Sequence, residues 1–251
     1  MPEQPVRRPR VEELAWKPTP MGDISLRRRQ DPVTGADVLE VKLGDEFLMS
    51  SLFTVAEEEL ARLGLAMTGA SADGGAAPLD VVVGGLGLGY TALTALEDAR
   101  VGSLVVVDAL AEVIEWHRAG LIPAGAVLTA DPRCRPVHAD FFAALASDDG
   151  LDPAMPGRRW DAVLVDIDHS PRHLLNPSHA SFYTLAGLQR LREQLKPGGV
   201  FALWSNDPPD EAYLELLRTL LVDVRADVVT FPNPLQGRDA TNTVYLGRAP
   251  G

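Results

Sequence analysis

The chain has 251 residues, of which 46% are hydrophobic and 23% charged, so it can bury a full core as one large α/β domain or a core with a small appendage. Its formal net charge at pH 7 is −12, and a surface of that sign repels the phosphates of nucleic acids. The same charge tolerates a cationic substrate. We therefore expect a small-molecule substrate and no nucleic-acid partner.

One cysteine, Cys134, excludes an internal disulfide and a metal site built from cysteines. Glycines and Asp108 interrupt the apolar stretches before they reach the length of a membrane span. The first residues, MPEQPVRRPRVEEL, carry arginines without the apolar segment of a secretory signal. These features predict a cytoplasmic protein without a membrane partner.

The amino-terminal part precedes the main domain. Residues 1–20 are rich in proline and arginine and predict a flexible arm. Residues 21–50 predict a small antiparallel β-sheet, because apolar and polar residues alternate in GDISLRRR and in VLEVKL. Residues 51–251 then form the catalytic domain. They begin with Thr54-Val-Ala-Glu57, a capping box, which makes Glu57 a cap residue on a solvated helix face.

From residue 79 onward, apolar strands alternate with helical segments, one of them over Phe182–Gln194. Continuous apolar strands with helices between them predict a mostly parallel, seven-stranded sheet covered by helices on both faces. The last two strands face each other across a Pro/Gly loop, so the last strand is expected to be antiparallel. The predicted strands are Leu79–Val83, Ser103–Val107, Arg135–Ala139, Asp161–Val165, Val200–Trp204, Ala226–Phe231 and Thr243–Leu246.

A glycine-rich segment, VVVGGLGLGY, follows the first of these strands. Gly85, Gly87 and Gly89 form GxGxG between a strand and a helix, where glycine lets the backbone approach a ligand closely. The dinucleotide fingerprint GxGxxG would need its third glycine at Tyr90. The spacing therefore favours a site of the S-adenosylmethionine type over an NAD site. A turn needed only for packing is the alternative.

Acidic residues end the next two strands. Asp108 lies about twenty residues after the glycine loop, where a carboxylate can accept both hydroxyls of an adenosine ribose. Asp140 ends the third strand and could accept the amine of the adenine. Each could instead cap the helix that follows it, and the two roles can coexist.

The fourth strand, DAVLVD, runs into a loop that carries further acids. Asp166 lies at the carboxyl end of the strand, and Asp168 and His169 follow it. A carboxylate pair with a histidine could deprotonate an amine or hydroxyl nucleophile. His169 and His173 are four residues apart, but Pro171 lies between them, so no metal is expected.

As a set, these segments resemble the spermidine synthase (polyamine aminopropyltransferase) family, which has the class I S-adenosylmethionine-dependent methyltransferase fold. The resemblance runs from Gly22 to Leu246 and includes AEEELA, VVVDALAEVIEWHR and the segment from DAVLVDIDHSP to LKPGGVFALW. It implies a Rossmann-like methyltransferase fold, an adenosyl ligand at the three glycines, and a homodimer or homotetramer. It also implies Asp108 on the ribose, Asp140 near the adenine, and Asp166 as the catalytic acid.

The chain departs from the family at three places. The aspartate that binds the amine of decarboxylated S-adenosylmethionine is replaced by Gly87 or Leu88. The loop Asp166-Ile-Asp168-His-Ser-Pro171 has altered spacing, and a tyrosine and glutamine of the polyamine pocket have no clear equivalents. An ammonium group buried without an anionic partner is costly.

We therefore expect a transferase that uses S-adenosylmethionine or its decarboxylated form as co-substrate. Transfer of a methyl group to a small amine or hydroxyl acceptor is favoured over aminopropyl transfer, because the amine-binding acid is missing. The alternatives are a non-catalytic assembly or regulatory protein with the same fold and, less favoured, an NAD-dependent oxidoreductase.

Overall fold

The computed structural model describes residues 11–69, 77–233 and 235–251. The chain divides into two compact units, Met1–Thr54 and Val55–Gly251. The expected fold class is confirmed, because a small antiparallel sheet precedes a mostly parallel seven-stranded sheet with an antiparallel last strand.

The first unit is a four-stranded antiparallel sheet in the order β1-β2-β3-β4. Alternation along the strands buries one face, as shown by Ile24 and Leu26, which are both fully buried. The strands are β1 (Val11–Thr19), β2 (Gly22–Gln30), β3 (Asp37–Leu43) and β4 (Glu46–Ser50).

The predicted arm over residues 1–20 is wrong for residues 11–19, which form β1; residues 1–10 lie outside the described part. Glu12 pairs with Arg28 and Glu13 with Arg27 in the antiparallel register of β1 and β2. Opposite charges directly across two strands stabilise the pairing. The two glutamates therefore help to attach this segment to the sheet.

The second unit contains the seven-stranded sheet, in the order β10-β11-β9-β8-β5-β6-β7. Strands β5 to β9 are parallel, and β11 is antiparallel to both β9 and β10. Its elements are α1 (Val55–Met67), β5 (Leu79–Gly84), α2 (Tyr90–Glu97), β6 (Val101–Asp108), α3 (Ala111–Arg118), α4 (Gly125–Leu128), β7 (Cys134–His138), α5 (Phe141–Ala146), β8 (Trp160–Val165), a 3-10 helix (Pro177–Ser181), α6 (Leu185–Gln194), β9 (Leu195–Ser205), α7 (Glu211–Arg218), β10 (Val222–Asn233) and β11 (Arg238–Arg248).

The helix predicted over Phe182–Gln194 begins later, at Leu185. The hydroxyl of Thr184 accepts a hydrogen bond from the amide of Gly187 at 3.3 Å, so it caps the new start. Nowhere in the described residues is a helix both long and apolar enough to cross a bilayer.

The strand order reverses between β5 and β8. From β5 the chain continues toward β6 and β7, whereas from β8 it continues toward β9. The chain therefore leaves these two neighbouring strands in opposite directions, and open α/β sheets bind ligands at the carboxyl edge of such a reversal.

A network of ion pairs joins the opposite, amino-terminal ends of β5, β8 and β9. The ammonium group of Lys196 donates to Asp80 at 2.8 Å and to Asp161 at 2.7 Å. Arg158 also pairs with Asp80, and it donates to Asp152 at 3.0 Å. The carboxylate of Asp152 is completely buried, so its charge depends on these partners.

We expect Arg158→Met to destabilise the second unit, because among the described residues it leaves the buried Asp152 carboxylate with one ion-pair partner, Arg135. Removing one member of a buried ion pair costs about 3–5 kcal/mol, and the remaining arginine should reduce this to about 2 kcal/mol, or roughly 4–8 °C in Tm. Arg118→Met, at the exposed end of α3, is the matched control and should leave Tm nearly unchanged. Equal Tm values for the two variants by thermal denaturation would contradict a stabilising network.

Candidate functional site

The glycine loop, residues 84–89, connects β5 to α2. Gly85, Gly87 and Gly89 have φ values of +94°, +46° and +91°, which side-chain-bearing residues rarely adopt. A Cβ atom on Gly85 would lie 2.1 Å from the carbonyl oxygen of Asp166. The loop after β5 therefore touches the end of β8, and the predicted glycines and Asp166 meet at the strand-order reversal.

Asp108, at the end of β6, holds the glycine loop from one side. Its Oδ2 accepts a hydrogen bond from the amide of Leu86 at 2.8 Å, and its Oδ1 accepts one from the amide of Leu110 at 2.7 Å. Burial raises the pKa of this carboxyl, while these amides and that of Gly87 lower it. These donors leave acceptor capacity on the carboxylate, and the contact of Asp108 with ribose hydroxyls stays a prediction.

Asp140 caps α5. Its Oδ1 accepts from the amides of Phe142 and Ala143 at 2.9 and 3.1 Å. The helix-cap alternative for Asp140 is confirmed. Its contact with an adenine remains a prediction, since the same carboxylate has a second oxygen.

Asp166 follows β8 and is fixed at both its backbone and its side chain. Its amide donates to the carbonyl of Gly84 at 2.8 Å, and its Oδ2 accepts from the hydroxyl of Thr91 at 2.9 Å. Thr91 lies in the first turn of α2, so β5, α2 and β8 together orient this carboxylate. Burial raises the pKa of Asp166 to about 6, and the Thr91 hydrogen bond opposes that rise.

Glu57 was interpreted as a cap residue on a solvated face, and the solvated face is wrong. It is 9% exposed, and its pKa is raised to about 8, first by burial and then by the charge of Asp166. The spacing contains the signal that was missed: Glu57 lies on the same face of α1 as the buried Leu60, Ala61 and Gly64. An acid within an apolar stripe indicates a buried functional group.

The two other acids of this helix, Glu58 and Glu59, remain near the surface. Each accepts a hydrogen bond of 3.0 Å from the guanidinium of Arg62. They are ordinary helix-surface pairs, of the kind that contributes a few tenths of a kcal/mol.

Glu57 and Asp166 form one buried acid pair. Burial raises the pKa of both carboxyls, and the charge of Asp166 raises that of Glu57 further. Two such groups resist ionising together, so a pair with one of them ionised has one negative charge. Such a pair can hold a cation and accept its proton.

Asp168, expected to be catalytic, is 1% exposed and already has three donors. Its Oδ1 accepts from the amide of Leu175 and from Nδ1 of His179, both at 2.8 Å. Its Oδ2 accepts from the hydroxyl of Tyr183 at 2.9 Å, and burial followed by the charge of Asp168 raises the pKa of that tyrosine. These contacts tie the loop after β8 and its 3-10 helix to the strand end. A catalytic role for Asp168 stays a prediction.

His169 joins two loops through its backbone, because its carbonyl accepts from the amide of Asn206 at 2.7 Å. His173, the other half of the possible metal pair, contacts Asp207 through Nδ1 at 2.9 Å and has a side chain that is 71% exposed. Within residues 11–69, 77–233 and 235–251, no three His, Cys, Asp or Glu side chains are grouped so that they could hold a metal.

A cleft of about 320 Å³ lies beyond the carboxyl ends of β8 and β9. It contains acidic and basic groups and the hydroxyl of Tyr245, which accepts from the amide of Asp210 at 2.8 Å. The residues that line it are Ser170, Pro171, Arg172, Asp207, Pro208, Pro209, Asp210, Glu211 and Tyr245.

Comparison with known proteins finds a curated protein of similar sequence and solved structures of similar fold. No protein-family model matches the chain. Polyamine aminopropyltransferase 2 of Pseudomonas aeruginosa is 30% identical over 166 residues, which are 62% of this chain and 43% of that protein. The chain thus spans less than half the length of this curated relative.

Solved structures show the same fold. Spermidine synthase from Thermotoga maritima has a TM-score of 0.68 at 17% identity, over 94% of this chain and 72% of that one. Spermidine synthase in complex with the transition state analogue AdoDATO has a TM-score of 0.69 at 16% identity, over 94% and 73%. Human methyltransferase-like protein 13 in complex with SAH has a TM-score of 0.50 at 19% identity, over 78% and 80%. The resemblance to the spermidine synthase-like family, with its class I methyltransferase-like fold, is confirmed.

We expect Gly85→Ala to destabilise the protein more than Gly120→Ala. Both glycines have positive φ values, +94° and +73°, so both variants bear the backbone strain of about 1–2 kcal/mol. A Cβ atom on Gly85 would also meet the Asp166 carbonyl, whereas on Gly120 it would meet nothing within 4 Å. Urea denaturation should show at least about twice the loss for Gly85→Ala. Equal losses would mean that the β5–β8 contact is not tight.

We also expect Glu57→Gln to flatten the dependence of Tm on pH. A carboxyl whose pKa is about 8 when folded and about 4.3 when unfolded contributes stability that is full below the unfolded value. That stability is lost as the pH rises through the folded value. Between pH 6 and pH 9, wild-type Tm should therefore fall by roughly 5 °C more than that of Glu57→Gln. Glu97→Gln, at an exposed position in α2, should keep the wild-type slope; a wild-type slope in Glu57→Gln would contradict the buried pair.

Proposed function

We propose that this chain is a transferase that binds S-adenosylmethionine at the carboxyl edge of β5, β6, β7 and β8 and transfers its methyl group to a small amine. The observation that carries the proposal is the buried acid pair, Glu57 and Asp166, beside the glycine loop at the strand-order reversal. The relatives named as aminopropyltransferase, spermidine synthase and methyltransferase-like protein support a co-substrate of this type.

The residues at this edge fit an adenosyl co-substrate. The three glycines have backbone angles that leave no Cβ between the peptide groups and a ligand. Asp108 can accept one ribose hydroxyl beside its three amide donors, and Asp140 can accept an exocyclic amine with its second oxygen. When bound, the sulfonium centre of such a co-substrate supplies an electrophilic carbon.

In this proposal, Asp166 removes a proton from the acceptor. An amine enters as an ammonium ion, which the single negative charge of the pair attracts. The Asp166 carboxylate takes one proton, and this frees the nitrogen lone pair that forms the new C–N bond while the C–S bond breaks. The hydrogen bond from Thr91 keeps one carboxylate oxygen oriented, and the proton on Glu57 prevents a double negative charge.

The glycine loop favours a methyl donor over an aminopropyl donor. Leu88 is 1% exposed and Gly87 has no side chain, so neither supplies an acid for an ammonium group. The N-cap of α2 is Gly89, which offers no side-chain hydrogen bond to the helix. A helix start of this kind suits the carboxylate of S-adenosylmethionine, which the decarboxylated form lacks. Aminopropyl transfer is the second candidate, because the relative with 30% identity is named for that activity.

The test combines binding with turnover. We expect calorimetry to detect binding of S-adenosylmethionine, and mass spectrometry to detect a methylated product from a panel of small amines. Asp166→Asn should lower kcat at least about 100-fold, the usual scale of a lost acid–base group, and change co-substrate affinity little. Asp149→Asn, at an exposed position, is the charge-matched control and should keep wild-type turnover.

Each alternative function has its own outcome in this experiment. Products enlarged by an aminopropyl group would replace the methyl assignment. Binding without turnover for any amine would indicate the non-catalytic protein. Binding of NAD, with no affinity for S-adenosylmethionine, its decarboxylated form or methylthioadenosine, would overturn the proposal.

A further inference from the structure

A buried histidine lies beneath the glycine loop and has no part in the chemistry proposed above. His117, in α3, is 3% exposed, and its Nε2 is 2.9 Å from the carbonyl oxygen of Gly87, in the middle of the loop. Its other ring nitrogen, Nδ1, has no hydrogen-bond partner among the described residues.

This geometry selects one tautomer of the ring. A carbonyl oxygen can only accept, so the hydrogen of a neutral His117 must be on Nε2. The other tautomer would bury an unpaired N–H at Nδ1 and set two lone pairs against each other, which is unfavourable. Burial lowers the pKa of His117, and the hydrogen bond to Gly87 opposes that shift.

The imidazole is held in place by close packing. A Cβ atom on Gly125, in α4, would lie 2.2 Å from the carbonyl oxygen of His117. A Cβ atom on Gly89 would lie 2.9 Å from Cε1 of His117 and 2.9 Å from Cδ1 of Leu128. The two glycines let α3, α4 and the loop approach closely, and the imidazole packs between the loop and the two helices.

Asp108 and His117 hold the loop from two directions. Asp108 accepts from the amides of Leu86 and Gly87, and His117 donates to the Gly87 carbonyl. Because a peptide group is planar, fixing its oxygen also fixes the direction of its N–H. The two side chains therefore define the peptide planes on both sides of Gly87, whose φ is +46°.

We propose that His117 is a positioning residue for the co-substrate: its Nε2–H holds the Gly87 carbonyl, so that the glycine loop has its binding shape before the ligand arrives. This inference rests on the proposed function, which places the co-substrate at the loop. A loop ordered in advance loses less conformational entropy on binding, so the affinity is higher.

The experiment compares three variants by the affinity for S-adenosylhomocysteine, which is not turned over. His117→Leu removes the donor and should weaken binding about tenfold, the value of one hydrogen bond of about 1.4 kcal/mol. His117→Gln offers an amide donor and should stay within about threefold of wild type. Leu128→Val is the control, because it loosens the same packing without removing a hydrogen bond.

Two measurements on the ligand-free protein complete the test. Nitrogen-15 NMR should show the Nε2–H tautomer of His117, and amide hydrogen exchange of residues 84–90 should be faster in His117→Leu than in Leu128→Val. If His117→Leu does not fold, His117→Asn takes its place, because its amide is too short to reach Gly87.

Unchanged affinity together with unchanged loop exchange in His117→Leu would overturn the inference and leave His117 a packing residue. A loss of affinity in Leu128→Val equal to that in His117→Leu would overturn it as well. If wild type binds no adenosyl ligand, the proposed function fails. The tautomer of His117 and the exchange rates of residues 84–90 then test separately whether the hydrogen bond from His117 orders the loop.

Discussion

The contact between the carboxyl ends of β5 and β8 is the constraint on which the candidate site depends. The amide of Asp166 donates to the carbonyl of Gly84, and the Asp166 carbonyl packs against Gly85 so closely that a side chain there would have no room. This contact continues the parallel pairing of the two strands by one residue beyond their ends. It places the Asp166 carboxylate beside the glycine loop, and the hydroxyl of Thr91 then fixes its orientation. The position of the site therefore follows from the pairing of β5 with β8, and α2 contributes the hydroxyl that orients the carboxylate.

The carboxylates at the two edges of the large sheet have partners of opposite kinds. At the amino-terminal edge, Asp80, Asp161 and Asp152 pair with lysine and arginine, so their charges are neutralised. At the carboxyl edge, the hydrogen bonds to Asp108 and Asp166 come from neutral groups: backbone amides at Asp108 and the Thr91 hydroxyl at Asp166. Neutral donors orient a carboxylate without cancelling its charge. The first set therefore stabilises the sheet, and under the proposed function the second set keeps negative charge available for a cationic acceptor, at the cost of burying Glu57 near Asp166.

Local patterns in the sequence were sufficient for the fold and for part of the site. The positions of the glycine loop, Asp108, Asp140 and Asp166 could be predicted because each lies at or near the carboxyl end of a strand, and the ends of parallel strands meet at one edge. What the sequence did not reveal depends on partners far along the chain. Strand β1 is attached through the arginines of β2, and the carboxylate of Asp168 is occupied by donors 7, 11 and 15 residues further on. Glu57 was missed because a capping-box motif explained it locally, while its burial follows from the packing of α1.

The glycine loop lacks the expected acid, so the Gly87 carbonyl oxygen is the other acceptor that an ammonium group could meet there. An ammonium group near the loop could in principle be held by the Gly87 carbonyl instead of an aspartate, since both accept hydrogen bonds. One of the two lone pairs of that carbonyl oxygen already accepts from Nε2 of the buried His117 at 2.9 Å. The loop therefore has no carboxylate at Gly87 or Leu88 to offer to the amine of an aminopropyl donor. Its glycine backbone and the start of α2 instead suit the carboxylate of S-adenosylmethionine. The residues that replace the acid thus support methyl transfer over aminopropyl transfer.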